Sequence, residues 1–267
     1  MSNRHTMHGI KETIRMALPK PLLFIYRLCK RPQDIAVMGG FLVKPNAKLP
    51  FIKRLSLTGE MCRISTYVEC VHTQEEASAY MDEIISMPST LKGCVVEAGC
   101  YKGGSTAKFS LATKIAGRKL FVFDSFEGIP DNDEMHEKNI FGGRAAFPQG
   151  SWRGSLEEVK NAVEKYGDID TCEFVKGWFK ETLPYFKEPI AAAYLDVDLA
   201  ASTRTCLKYL YPLLAAGGVL YSHDGHLPLV IEVFNDDEFW KNEIGCKKPH
   251  VEGLGKKKLI RIVKPGI

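Results

Sequence analysis

From Glu69 onward the apolar and polar positions fall into an orderly alternation of short apolar runs and stretches of helical period. Thr73-Gln-Glu-Glu76 has the spacing of a capping box and predicts a helix running through Met81, Ile84 and Ile85. Five apolar runs read as strands: Val95–Ala98, Leu120–Phe123, Cys172–Val175, Ala191–Leu195 and Gly218–Tyr221. Between them, residues 105–116, 155–166 and 202–215 carry helical periodicity, and Asn235–Trp240 looks helical as well. His250–Glu252 and Lys258–Val263 read as two strands joined through residues 253–257, a closing antiparallel hairpin. The expected class is α/β: a Rossmann-like, mostly parallel sheet with a C-terminal antiparallel hairpin and helices on both faces. Residues 1–55 lack this order, and prolines at 19, 21, 32, 45 and 50 break up any long helix there, so they read as an N-terminal arm on a domain of residues 56–267.

Composition narrows the function classes. With 36 basic against 32 acidic residues, a net charge of +4 gives no single-sign field that would call for nucleic acid. Eight cysteines occur without any CxxC pair, which argues against a zinc or redox motif and fits a reducing, cytoplasmic setting. The apolar run Pro21–Tyr26 is too short to span a bilayer and lacks a small-residue cleavage site, so neither signal peptide nor stable membrane insertion is expected. Lys11, Arg15, Lys20, Arg27, Lys30 and Arg31 flank that run, and the arm is expected to pack on its own body or across a homodimer.

The chemistry concentrates where strands end. Val95-Val-Glu-Ala-Gly-Cys-Tyr-Lys-Gly-Gly-Ser105 is a strand entering a glycine-rich turn and then a helix, with Glu97 at the strand end and Gly99, Gly103 and Gly104 shaping the turn. Its spacing is acidic-x-Gly-x-x-x-Gly, not the GxGxxG that holds a dinucleotide pyrophosphate. A carboxylate there suits the ammonium of an amino-acid tail, as in S-adenosylmethionine (SAM). Asp124 closes the second strand, where an acid can take both hydroxyls of a ribose. Tyr101, Ser105 and Asp196 join these as candidate cofactor contacts. Asp196 and Asp198 point to one side of the fourth strand end, about 7 Å apart, and strand five ends in Tyr221-Ser-His-Asp-Gly-His226. Asp196, Asp198, His223, Asp224 and His226 thus gather into a candidate divalent-metal cluster. The loop Asp131–Trp152 is long for a strand-to-helix connection and reads as a lid, with Arg144, Phe147 and Trp152 as acceptor contacts.

These motifs, in this order, resemble the macrocin O-methyltransferase (TylF-like) family of class I SAM-dependent methyltransferases over residues 57–233. The resemblance rests on Glu97–Ser105, Phe123-Asp-Ser-Phe-Glu-Gly-Ile-Pro130, Gly177-Trp-Phe-Lys-Glu-Thr-Leu-Pro184, Asp196-Val-Asp198 with Ser202-Thr203, and Gly217-Gly218 leading to His223-Asp224. It implies O-methylation of a small-molecule hydroxyl on a sugar or phenol. It also implies cofactor contacts at Glu97, Gly99, Asp124, Ser125, Gly177, Trp178 and Phe179, and magnesium at Asp196, His223 and Asp224. Two positions depart from the family pattern: His223 stands where an aspartate is usual, and Ala200 where an aromatic is. Imidazole suits manganese or another transition metal better than magnesium. The expected general base is Asp198, or His226 in a protein working without metal. The competing expectation is a SAM-binding protein with a decayed or metal-independent catalytic edge. An NAD oxidoreductase is disfavoured by the missing GxGxxG.

Overall fold

The computed structural model describes residues 19–30, 32–43 and 49–266. Three helices come first: α1 (Lys20–Lys30), α2 (Pro32–Val43) and α3 (Phe51–Tyr67). Pro32 opens α2 and Pro50 immediately precedes α3, so the prolines punctuate the arm and leave room for helices between them. The expected arm boundary at residue 55 falls inside α3, whose Leu57, Met61 and Ile64 are buried in the main core. Residues 1–18, 31 and 44–48 of the expected arm, including Lys11, Arg15, Arg31 and Pro45, lie outside the described residues.

Helix α4 (Gln74–Ser86) starts at Thr73 with both halves of the capping box made: Glu76 N–H donates to Thr73 Oγ1 at 3.1 Å and Thr73 N–H to Glu76 Oε2 at 2.8 Å. Then follow β1 (Cys94–Ala98), α5 (Gly104–Ile115), β2 (Leu120–Asp124), α6 (Leu156–Tyr166), β3 (Cys172–Lys176), α7 (Phe179–Thr182), β4 (Ile190–Leu195), α8 (Ala200–Leu210), β5 (Leu214–Ser222), α9 (Pro228–Asn235) and β6 (Ile260–Val263). The sheet order is β3-β2-β1-β4-β5-β6, parallel throughout except for antiparallel β6. Period-two alternation sends Val95, Val122, Tyr194 and Val219 to the face covered by α2 to α6, and Val96, Phe123, Leu195 and Leu220 to the face covered by α8, α9 and the C-terminal segment.

Three expectations need correction. The helix expected over 202–215 ends at Leu210 and β5 begins at Leu214, because an irregularity between the Ile190–Leu214 and Ala192–Val219 pairs lets the strand start before Gly217 and Gly218. The closing hairpin is a single bridge, Glu252 to Arg261; the antiparallel partner of β6 along its length is β5. Instead of one helix over Asn235–Trp240 there are α9, with Pro228 in its first turn, and a short helix Asp237–Phe239 capped by Asp236 that runs into a π-helical turn, Trp240–Ile244. No helix among the described residues is long and apolar enough to cross a membrane.

Candidate active site

The C-terminal ends of β1, β2, β4 and β5 open onto one cavity of about 320 Å³, where an open parallel sheet takes its ligands. Two kinds of wall enclose it. On the β1–β2 side lie Gly99, Tyr101, Asp124, Ser125, Trp178 and Phe179; on the β4–β5 side lie Asp196, Asp198, His223, Asp224, His226 and Lys258.

The first wall is set by backbone. Gly99 adopts φ +84°, and a Cβ there would stand 2.0 Å from the Asp196 carbonyl oxygen, so only glycine lets the β1 turn lie against the end of β4. Asp124 holds the turn from the neighbouring strand: its carboxylate accepts from Cys100 N–H at 2.8 Å and Phe126 N–H at 2.7 Å. Burial raises the Asp124 pKa, opposed by those two N–H groups. Trp178 and Phe179, at the start of α7, bring aromatic surface to the same wall, and Tyr101 meets Trp152 edge-on at 5.6 Å.

Four expected cofactor contacts are not in this lining. Glu97 is fully buried on the core side of β1, in register with Val122 and Tyr194, with neither carboxylate oxygen in a well-formed hydrogen bond. Burial pushes its pKa up to about 7, against the pull of the nearby Ser105 and Thr106 hydroxyls. Ser105 sits with it, 3% exposed, on the inward side of α5. Gly103 caps α5 in the left-handed conformation, packed under Val159, and Gly177 turns the chain at φ +146° while its N–H donates to the Asp124 carbonyl. These residues shape the wall from behind.

The second wall is dense in charge. Asp224 Oδ2 accepts from both Val197 and Asp198 N–H at 3.0 Å, which holds Asp198 at φ +59°. Burial, then the charges of Asp224 and Asp196, raise Asp198 well above the usual carboxylate range. Burial and Asp196 push Asp224 up to about 6. Asp196, by contrast, is held well below that range: burial opposes its charge, but His223 and His72 outweigh it. His226, depressed to about 4 by burial and by Lys258, is a neutral imidazole whose Nδ1 has no hydrogen-bond partner among the described residues.

Two donor sets share Asp196. Ligating atoms of Asp196, Asp198 and Asp224 lie within 4.8 Å of one another, and so do those of His72, Asp196 and His223. The expected metal set Asp196, His223 and Asp224 is therefore divided, His223 going with His72 and Asp224 with Asp198. His72 was not foreseen; it precedes the capping box, and only the packing of α4 over β4 carries it to the site. Glu134 was also missed. Its carboxylate accepts from Ala200 and Ala201 N–H at 2.7 and 2.8 Å, capping α8, whose N-cap residue Leu199 offers no side-chain bond. The expected lid is thus tied to the body at Glu134, and again where Ile140 N–H donates to the His226 carbonyl. Arg144, Phe147 and Trp152 of that loop all reach the cavity.

This sheet order, with its antiparallel last strand and its cavity at the β1/β4 switch point, is the fold of class I SAM-dependent methyltransferases. The solved structure of the O-methyltransferase NovP aligns with a TM-score of 0.56 at 24% identity, covering 72% of this chain and 79% of that one. The family model for macrocin O-methyltransferase (TylF) matches residues 75–249, and the chain belongs to that family. Among curated relatives, an 8-demethyl-8-(2,3-dimethoxy-alpha-L-rhamnosyl)-tetracenomycin-C 4'-O-methyltransferase of Streptomyces olivaceus is 31% identical over 61% of this chain and 64% of its own length. The demethyldecarbamoylnovobiocin O-methyltransferase of Streptomyces niveus is 33% identical over 51% of this chain and 54% of its own length. The match spans less than two thirds of either relative.

Proposed function

We propose that this chain transfers the methyl group of SAM to a hydroxyl of a small molecule, a sugar or phenol of a natural product. The observation that carries this reading is the single cavity in which Asp124, Trp178 and Phe179 face Asp198, Asp224 and His226. A hydroxyl-accepting carboxylate beside aromatic rings fits a nucleoside, and an acidic cluster opposite fits activation of an acceptor. The two relatives described above are named as O-methyltransferases of a glycosylated tetracenomycin and of a novobiocin precursor.

Asp124 and Ser125 hold the ribose, Trp178 and Phe179 flank the base, and the Gly99 turn receives the amino-acid tail. Bound SAM supplies an electrophilic methyl on a cationic sulfur. Magnesium fits Asp196 and Asp224, since it keeps several waters and needs only one or two carboxylates; the Val197 and Asp198 N–H groups both donate to Asp224 Oδ2, which leaves Oδ1 as the oxygen to meet an ion. Bound there, it supplies Lewis acidity that lowers the pKa of a hydroxyl. Asp198 takes the hydroxyl proton on a carboxylate oxygen, and neutral His226 accepts a hydrogen bond from the acceptor and orients it. Phe147 and Trp152 cover the acceptor and exclude water.

The test is incubation with SAM, Mg2+ and a panel of deoxysugar glycosides and phenols, read by mass spectrometry. Gain of one methyl by at least one acceptor, with stoichiometric S-adenosylhomocysteine, is expected. Cofactor binding without transfer to any acceptor overturns this reading.

A further inference from the structure

The oxygen-rich set leaves the other side of Asp196 unexplained. There His72 Nε2 lies 3.0 Å from Asp196 Oδ2, and His223 Nδ1 lies 3.2 Å from Asp196 Oδ1. Two imidazoles thus converge on the two oxygens of one carboxylate, with ring centroids 4.4 Å apart. The far nitrogen of each ring meets a further side chain: Cys70 Sγ is 3.4 Å from His72 Nδ1, and Glu76 Oε2 forms an ion pair with His223 Nε2 at 3.2 Å, without the geometry of a good hydrogen bond. Glu76 is itself fixed by the capping box of α4. A metal-ligating imidazole commonly presents one nitrogen inward while a carboxylate orients the other, the part Glu76 is placed to play for His223. His72 Nε2 and His223 Nε2 are both buried and, among the described residues, neither has a hydrogen bond of good geometry, although Asp196 Oδ2 lies 3.0 Å from the first; the His72 side chain is only 4% exposed. Tyr194 at 5.4 Å and Phe109 at 6.4 Å from the His72 ring wall the place off with aromatic surface.

We propose that His72, Asp196 and His223 form a nitrogen-rich site for a divalent transition-metal ion, which shares Asp196 with the all-oxygen set that fits magnesium but differs from it in its other two donors. Two imidazoles and one carboxylate favour cobalt, zinc, manganese or iron(II), while magnesium prefers oxygen ligands and dehydrates reluctantly. The site does not depend on which hydroxyl the chain methylates, or on its methylating one at all.

The test uses the full chain stripped with a chelator and titrated with Co2+, Zn2+ and Mg2+ by calorimetry, with visible absorption followed for Co2+. Co2+ and Zn2+ are expected to bind at least tenfold tighter than Mg2+, with a cobalt d–d band. His72→Gln should weaken Co2+ by about ten- to a hundredfold and bleach the band, while Asp198→Asn, which alters only the oxygen set, should keep it. Should His72→Gln not fold, zinc-edge X-ray absorption of the unaltered protein gives the same answer, two imidazole nitrogens in the first shell being expected. Equal affinity for Mg2+ and Co2+, an unchanged band in His72→Gln, an all-oxygen shell, or no ion binding would each overturn the proposal. S-adenosylhomocysteine binding, measured on the same samples, reports separately on the methyltransferase reading.

Discussion

The two walls of the cavity are built in opposite ways. The β1–β2 wall is made by closely packed, hydrogen-bonded backbone: Gly99 lies where no Cβ fits beside the Asp196 carbonyl, and Asp124 accepts from two N–H groups that shape the turn. The β4–β5 wall gathers Asp196, Asp198, Asp224, His223 and His226 with fewer bonds than they can make, and their pKa values are driven apart by burial and by one another. A wall of satisfied bonds holds a ligand in place, and a wall of mismatched charge moves protons and attracts cations.

Substitutions on the two walls should therefore fail differently. The largest effect is expected from Asp198→Asn: transfer falls by about 10²–10⁴-fold, the range for losing a general base, while calorimetric affinity for S-adenosylhomocysteine stays within a factor of about three. A matching loss of cofactor affinity would erase the distinction between the walls. Gly99→Ala should act through folding. Its Cβ would collide with the Asp196 carbonyl, costing about 3 kcal/mol as overpacking on rigid backbone, and a lowered thermal midpoint should accompany loss of cofactor binding. A fully stable variant would show that the turn is looser than described.

Behind the first wall, Glu97 gives a pH signature. Its folded pKa is raised from 4.5 to about 7, so the folded state keeps a proton that the unfolded chain has lost, and the stability this gives is present below pH 4.5 and lost as pH rises through 7. Glu97→Gln should flatten that decline and stabilise the protein by on the order of 3 kcal/mol above pH 7, read by urea denaturation from pH 4 to 8. An unchanged pH profile would place the Glu97 charge outside the core. The smallest effect is Trp178→Ala, expected to weaken S-adenosylhomocysteine by about tenfold through lost stacking on the base, with folding unchanged.

What could be read from the sequence follows the same division. The strand, glycine turn and helix from Val95 to Ser105, the Thr73 capping box and the placement of Asp124 are local patterns, and each is found where its spacing predicts. Spacing could not tell which side of the turn each residue faces: the register of β1 turns Glu97 into the core with Ser105, away from the cavity. His72 and Glu76 meet His223 across about 150 residues of chain, and Glu134 caps a helix more than sixty residues away, so no local pattern marks them. The early start of β5 depends on an irregular pairing with β4 that periodicity does not encode.

The most direct measurement is calorimetric titration of S-adenosylhomocysteine into the metal-stripped chain. Micromolar, one-to-one binding that survives Asp198→Asn and weakens in Trp178→Ala is the predicted result. Absence of binding, with or without added magnesium, would contradict the assignment of the β1–β2 wall to a nucleoside, and with it the proposed reaction.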